Sequence, residues 1–186
     1  MHGIRPETQH LDRRNAFGTV LEAWFDGDWH TFGGERTFFP DCDIVFERPQ
    51  FGAEMTKPTI YVMEGAATTT RRWATKTGIR KTTDRTYRFF VYTPYAKLEI
   101  RSGVFRGGRA LNDEVQDALE LVLNGVPQEF AQYGIRITGV AESAEIPMSA
   151  DQAMLVSMRD VGTKMTLEYG QPGTGAASSE LTGSIT

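Results

Sequence analysis

The stretch YRFFVYTP, at residues 87–94, decides the fold of this 186-residue chain. Aromatic and β-branched residues of this kind are enriched in strands, and Pro94 ends the run because it cannot donate to a strand ladder. Residues 68–77, just before it, are rich in Thr and Arg, and residues 78–84 are turn-like in composition. We therefore predict a long antiparallel hairpin over 68–93 with a solvated, basic tip.

The consecutive apolar residues of this strand also raise the question of what covers the sheet. Phe89, Phe90, Val91 and Tyr92 follow one another, so their side chains point to both faces. One face is expected to meet helices. The other needs either a partner or a loop of the same chain, and the sequence leaves both open.

Two amphipathic helices are predicted, over 11–25 and 108–123, because apolar residues recur there at helical spacing. Acidic residues crowd the first turns of the second helix, where the helix dipole favours them, and Asn124-Gly125 ends it. Both helices are expected to pack onto one sheet face through their apolar stripes. The residues predicted to do so are Phe17, Leu21, Trp24, Leu111, Val115, Leu119 and Val122.

Shorter apolar runs predict the remaining strands, and residues 30–41 are predicted to be a loop. These strands cover 44–46, 59–64, 134–140 and 154–169, the last with an interruption at 160–162. Few helices and many hairpin connections indicate an α+β fold: an antiparallel β-sheet with two α-helices packed on one face, a long β-hairpin and extended terminal arms. The length predicts a single domain over 11–169, an N-terminal arm over 1–10 and a Gly/Ser/Thr-rich C-terminal interaction arm over 170–186.

Charge is distributed unevenly along the chain. The net charge is −4, yet residues 71–109 hold eleven of the 20 basic residues and two acids, which leaves +9 there and −13 elsewhere. The basic hairpin is predicted to face DNA phosphates or an acidic surface of a neighbouring subunit, although a merely solvated hairpin face would look the same. Its residues are Arg71, Arg72, Lys76, Arg80, Lys81, Arg85 and Arg88; the acidic partner face is Asp113, Glu114, Asp117 and Glu120, with Asp26 and Asp28 as further candidates.

Residues for catalysis are scarce in this sequence. It has one cysteine and three histidines, and it contains none of the phosphate-loop, dinucleotide, nucleophile-elbow or zinc-protease motifs. The nearest thing to a metal cluster, Asp41-Cys42-Asp43 with His30, is interpreted as a turn before a strand. We therefore expect no enzyme activity, no cofactor and no metal. We expect no membrane contact, because no apolar run approaches the length of a membrane span.

The order of these elements resembles the tail terminator (tail completion) proteins of long-tailed bacteriophages. The resemblance covers residues 11–169 and is carried by the first helix, two strands, and a Thr/Arg-rich strand that turns back into YRFFVYTP. A small-residue helix with ALNDEVQDAL at 110–119 and a closing strand with GTKMTLEY at 162–169 complete it. The long 94–109 connection and residues 170–186 depart from the compact members of the family.

The resemblance implies a structural virion protein that forms a ring, usually six-fold, which caps the tail tube and offers the head a docking surface. Its expected partners are copies of itself, the tail tube protein and head–tail connector or stopper proteins, with genomic DNA in the lumen as a second contact. The expected location is the tail or neck of the virion, after assembly in the host cytoplasm. Two alternatives stay open: another neck component such as a connector or stopper, and a DNA-binding module that uses the basic hairpin.

Overall fold

The computed structural model describes residues 9–49, 55–75, 78–148 and 153–170. Helix α1 takes in Gln9 and His10 of the predicted N-terminal arm; the rest of that arm, and residues 171–186 of the predicted C-terminal arm, lie outside the described residues. The elements in chain order are α1 (Gln9–Trp24), β1 (Trp29–Phe32), β2 (Glu35–Phe38), β3 (Asp43–Val45), β4 (Thr59–Thr75), β5 (Gly78–Pro94), β6 (Leu98–Arg101), β7 (Val104–Arg106), α2 (Gly108–Gly125), α3 (Pro127–Ala131), β8 (Ile135–Val140), β9 (Ala144–Ile146) and β10 (Met154–Gly170).

One large sheet organises the molecule. Its strands lie in the order β3-β4-β5-β10-β8, and β9 pairs with a further part of β10. The neighbours run antiparallel except β3 and β4, where Asp43 lies opposite Thr59 in a parallel pair. Residues 46–58 separate these two strands, and β3 and β4 begin at the same end of the sheet. The predicted α+β class is confirmed.

The central hairpin is longer than predicted, because β4 and β5 each run for 17 residues. The turn-like interpretation of 78–84 is wrong: Thr82 pairs with Arg71 on one side and with Thr166 on the other. β-Branched threonines fit a pleated sheet well, and this preference outweighs their polarity. The separate strand predicted at 59–64 continues through a bulge, where a Cβ on Gly65 would lie 2.8 Å from the Thr86 carbonyl oxygen.

Strand β10 is not interrupted at 160–162. It pairs with β5 without a break from Met154 opposite Pro94 to Gly170 opposite Gly78. The irregularity that the sequence suggested lies on the other side, where the register with β8 shifts between Gly162 and Thr163. A Cβ on Gly162 would lie 2.8 Å from Thr138 Oγ1, so a larger residue there would require the Thr138 side chain to move.

The core lies between the helices and one face of the sheet. Phe17 of α1 sits fully buried against Tyr87 and Phe89 of β5, with ring centroids 4.7 and 5.6 Å apart. Six of the seven residues predicted to pack there are fully buried, namely Phe17, Leu21, Leu111, Val115, Leu119 and Val122. The seventh, Trp24, is half-buried at the end of α1. Its indole packs edge-on against Phe39 and donates a hydrogen bond to Glu129 Oε2 at 2.9 Å.

The predicted loop at 30–41 is wrong over most of its length. Strands β1 and β2 form a hairpin with Trp29 opposite Phe38, and a two-residue turn at Gly33 and Gly34 joins them. Both glycines have positive φ, 59° and 90°, as a tight hairpin turn of this type requires. A second small hairpin, β6–β7, lies within the connection between β5 and α2.

Candidate interaction surfaces

Part of the basic hairpin is neutralised by carboxylates of the same chain. Arg85 Nη1 lies 2.5 Å from Glu64 Oε2 on β4, and both side chains are largely buried. On the other side of β5, Arg88 donates two hydrogen bonds to Asp160 of β10, at 2.7 and 3.0 Å. Hydrogen bonding and the charge of Arg88 lower the pKa of Asp160. These two arginines therefore tie the three long strands together.

The structure describes the other predicted basic residues only in part. Lys81 is half-buried on β5. Arg71, Arg72 and Arg80 lie in the backbone ladder between β4 and β5, but their side chains fall outside the part that the structure describes, as does the whole of Lys76. That this surface faces a partner or DNA stays a prediction.

The acidic face of α2 divides into two parts. Glu120 accepts a hydrogen bond from Arg159 Nη1 at 2.7 Å and so belongs to a buried network between α2 and β10. Asp113 and Asp117 are exposed and Glu114 is half-buried. Within the described residues, none of these three carboxylates has a basic partner at ion-pair distance. We call Asp113, Glu114 and Asp117 the acidic stripe.

Asp26 and Asp28 do not join the acidic stripe. Asp26 Oδ1 lies 2.9 Å from His30 Nε2, and Asp28 Oδ1 accepts the Trp29 backbone N–H at 2.7 Å. These two carboxylates therefore order the turn between α1 and β1. The predicted partner role of Asp26 and Asp28 stays a prediction.

The large sheet carries aromatic and methionine side chains on the face opposite the helices. Tyr61 stacks on Phe90 at 5.6 Å, and Phe90 lies 6.4 Å from Tyr92. Met63 and Met158 lie on the same face of the neighbouring strands, by register with Arg88 and Phe90. All five side chains are half-buried. We call this set, Tyr61, Met63, Phe90, Tyr92 and Met158, the aromatic face.

The two small hairpins meet in a cluster of aromatic rings and arginines that the sequence did not reveal. The guanidinium of Arg36 lies 5.5 Å from the Trp29 ring, and that of Arg101 lies 5.2 Å from the same ring. Arg101 also lies 5.0 Å from Phe38. Trp29 is 44% exposed. We call Trp29, Arg36, Phe38 and Arg101 the Trp29 platform.

The four residues considered as a metal cluster, Asp41, Cys42 and Asp43 with His30, do not form a metal-binding arrangement in the structure. His30 binds Asp26, whereas Asp41 and Asp43 both contact Lys57 Nζ, at 3.2 and 3.3 Å. Across the described ranges, no group of three or more His, Cys, Asp or Glu residues is placed to hold a metal ion. Nor does any helix in that part of the chain have the length and apolarity to cross a bilayer.

Cys42 offers a simple test of this region. The thiol is buried, and burial raises its pKa well above the usual value. Because the thiolate is the reactive form, we expect a thiol reagent at pH 8 to label the native protein far more slowly than the protein in denaturant. Labelling can be followed by absorbance. Equal rates in both conditions would show that Cys42 is accessible and that it is not buried in the core as the structure has it.

A scan against protein-family models and a search of curated protein sequences find no match for this chain.

Proposed function

We propose that this chain is a structural subunit of a ring that ends the tail tube of a long-tailed bacteriophage and provides the docking surface for the head. The observation that carries the proposal is the aromatic face. Its side chains occupy β4, β5 and β10, opposite the side where Phe17 and α2 pack. These side chains are half-buried, and the apolar surface that they still expose favours an interaction site, because exposed apolar patches on one face of a sheet commonly mark one.

The order of elements supports the same proposal. A helix, a long Thr/Arg-rich hairpin, a small-residue helix and a closing strand follow one another as in the tail terminator proteins that the sequence resembles. A ring subunit needs surfaces for its neighbours, for the tube and for the head. The chain offers an aromatic face, a Trp29 platform and an acidic stripe for these contacts.

A head–tail connector or stopper would use surfaces of the same kind and is the second candidate. A DNA-binding module is less well supported, because Arg85 and Arg88 already bind Glu64 and Asp160. Phosphate binding by the hairpin would weaken with salt at a log–log slope of about −0.9 per neutralised phosphate. A salt titration with duplex DNA therefore separates this third candidate from the other two.

The proposal is tested by native mass spectrometry of the purified protein, followed by electron microscopy with isolated tail tubes and heads. We expect rings with about six times the 20.8 kDa subunit mass, bound at one end of each tube. Rings that bind heads and leave the tubes uncapped would show that the protein is a head–tail connector or stopper and not a tail terminator. A protein that stays monomeric at all concentrations and binds neither would refute both.

A substitution on the aromatic face tests whether this face takes part in ring assembly. Phe90→Lys places a charge at the centre of this face and is expected to reduce ring assembly by roughly tenfold or more, because burying an unpaired charge is costly. Tyr95→Lys is the matched control, since Tyr95 is 56% exposed. Circular dichroism shows whether both variants keep the fold. If the Phe90→Lys protein is folded and assembles like the control, the aromatic face is not part of the interface.

A further inference from the structure

The Trp29 platform places two arginines beside one aromatic ring. Both guanidinium groups lie against the Trp29 ring, at 5.5 and 5.2 Å from its centroid. A guanidinium held over a ring still has N–H groups that can bind a carboxylate with two hydrogen bonds. Among the described residues, no carboxylate pairs with Arg36 or Arg101. The platform therefore presents positive charge beside an exposed aromatic ring.

The acidic stripe on α2 has the complementary chemistry. Asp113 and Asp117 are four residues apart on the helix, so they lie on one side of it, and Glu114 adjoins them. The next residue on that side, Leu121, is apolar and 36% exposed. Glu120, by contrast, already holds Arg159. The stripe thus presents carboxylates beside a small apolar surface, and its charges find no basic partner in the described part of their own chain.

We propose that the Trp29 platform of one copy binds the acidic stripe of the next copy in the ring. This inference rests on the proposed function and names the contact that would build the ring. The platform and the stripe are different surfaces, and a contact between different surfaces repeats from copy to copy, as a rotational ring requires. Trp and Arg are also the residues that most often carry the binding energy of an interface.

A second copy fits the platform better than a nucleic acid does. The whole chain has a net charge of −4, which repels a polyanion at long range. The acidic stripe is present in every copy at the same concentration as the platform. Single-stranded DNA could still stack on Trp29 with its phosphates on the arginines, so it is included as a separate outcome of the test.

A charge swap tests the pairing. One variant carries Arg36→Glu and Arg101→Glu, a second carries Asp113→Lys and Asp117→Lys, and a third combines all four changes. Each of the first two is expected to weaken ring association by about tenfold or more, because like charges then meet across the interface. The combined variant should recover most of the wild-type association. Sedimentation velocity at fixed ionic strength measures all three.

The control is a protein with Lys97→Glu and Arg136→Glu, which changes the net charge as the platform variant does. Lys97 and Arg136 are both exposed, and this variant should associate like the wild type. Thermal melting verifies that every variant is folded. Arg36→Lys with Arg101→Lys keeps the charge but loses the planar, two-pronged group, and it should give an intermediate loss. This milder pair keeps the test decisive if a reversal variant does not fold.

The outcomes separate the inference from the proposed function. A wild-type protein that never associates refutes the ring and the contact together. A ring that persists unchanged in the platform variant refutes only the contact, as does failure of the combined variant to recover. Fluorescence anisotropy with a labelled single-stranded oligonucleotide completes the test. Wild-type binding that the platform variant abolishes while its rings persist would assign the platform to nucleic acid instead.

Discussion

Replacing Phe17 by Ala is expected to lower the free energy of unfolding by about 3–5 kcal/mol, the cost of deleting a buried aromatic ring. Phe17 has no exposed surface and contacts the rings of Tyr87, Phe89 and Phe130, at centroid distances of 4.7, 5.6 and 5.5 Å. It therefore joins α1 to the sheet and to α3 at once. The total free energy of unfolding of such a domain is about 5–15 kcal/mol, so this loss is a large fraction of it.

The matched control is Phe105→Ala, which removes the same ring from a position that is 51% exposed. We expect this change to stay within about 0.5 kcal/mol of the wild type. Urea unfolding of both variants, followed by circular dichroism, gives the comparison. Similar midpoints for the two variants would mean that α1 does not pack on the sheet through Phe17.

Replacing Gln116 by Leu is expected to lower the free energy of unfolding by about 2–4 kcal/mol, although the new side chain is apolar and similar in size. Gln116 is 2% exposed. Its Nε2 donates to Ser157 Oγ at 2.7 Å, and its Oε1 accepts from Arg159 Nε at 3.0 Å. Leucine can do neither, so both buried groups lose a partner without gaining water.

An exposed glutamine provides the control for this variant. Gln128 lies on the solvent side of α3, and Gln128→Leu should leave stability nearly unchanged. Changing Ser157 to Ala in the Gln116→Leu background should then cost less than it does in the wild type, because the hydroxyl has already lost one of its partners. Full additivity of the two losses would contradict the network.

The two long helices and the central strand could be predicted because each is a long periodic or strongly β-prone segment. The stripe of Leu111, Val115 and Leu119 needs only helical spacing to be recognised. Short elements gave weaker signals. Strand β2 reads ERTF and lacks an apolar run, so only the Gly33-Gly34 turn could have revealed its hairpin.

The interaction surfaces could be predicted only in part. Charge alone predicts that Arg85 and Arg88 belong to a basic surface. Their partners Glu64 and Asp160 depend on strand register, because a slip by one residue would turn each side chain to the other face of the sheet. The Trp29 platform joins residues 29 and 101, which share no local pattern. Contacts between distant segments depend on the tertiary fold, and a single sequence does not encode them in any local spacing.

Strand β10 is the last of the three long strands to be synthesised. Its residues pair with β5 partners that lie 60 to 92 positions earlier in the chain. At about 5–20 residues per second, the ribosome leaves that edge of β5 without its neighbour for roughly 3–18 seconds. During this interval the YRFFVYT run has an open backbone edge, the condition under which strands of different chains pair and aggregate. The YRFFVYT edge is therefore open to pairing with other chains during translation, until the third long strand has left the ribosome.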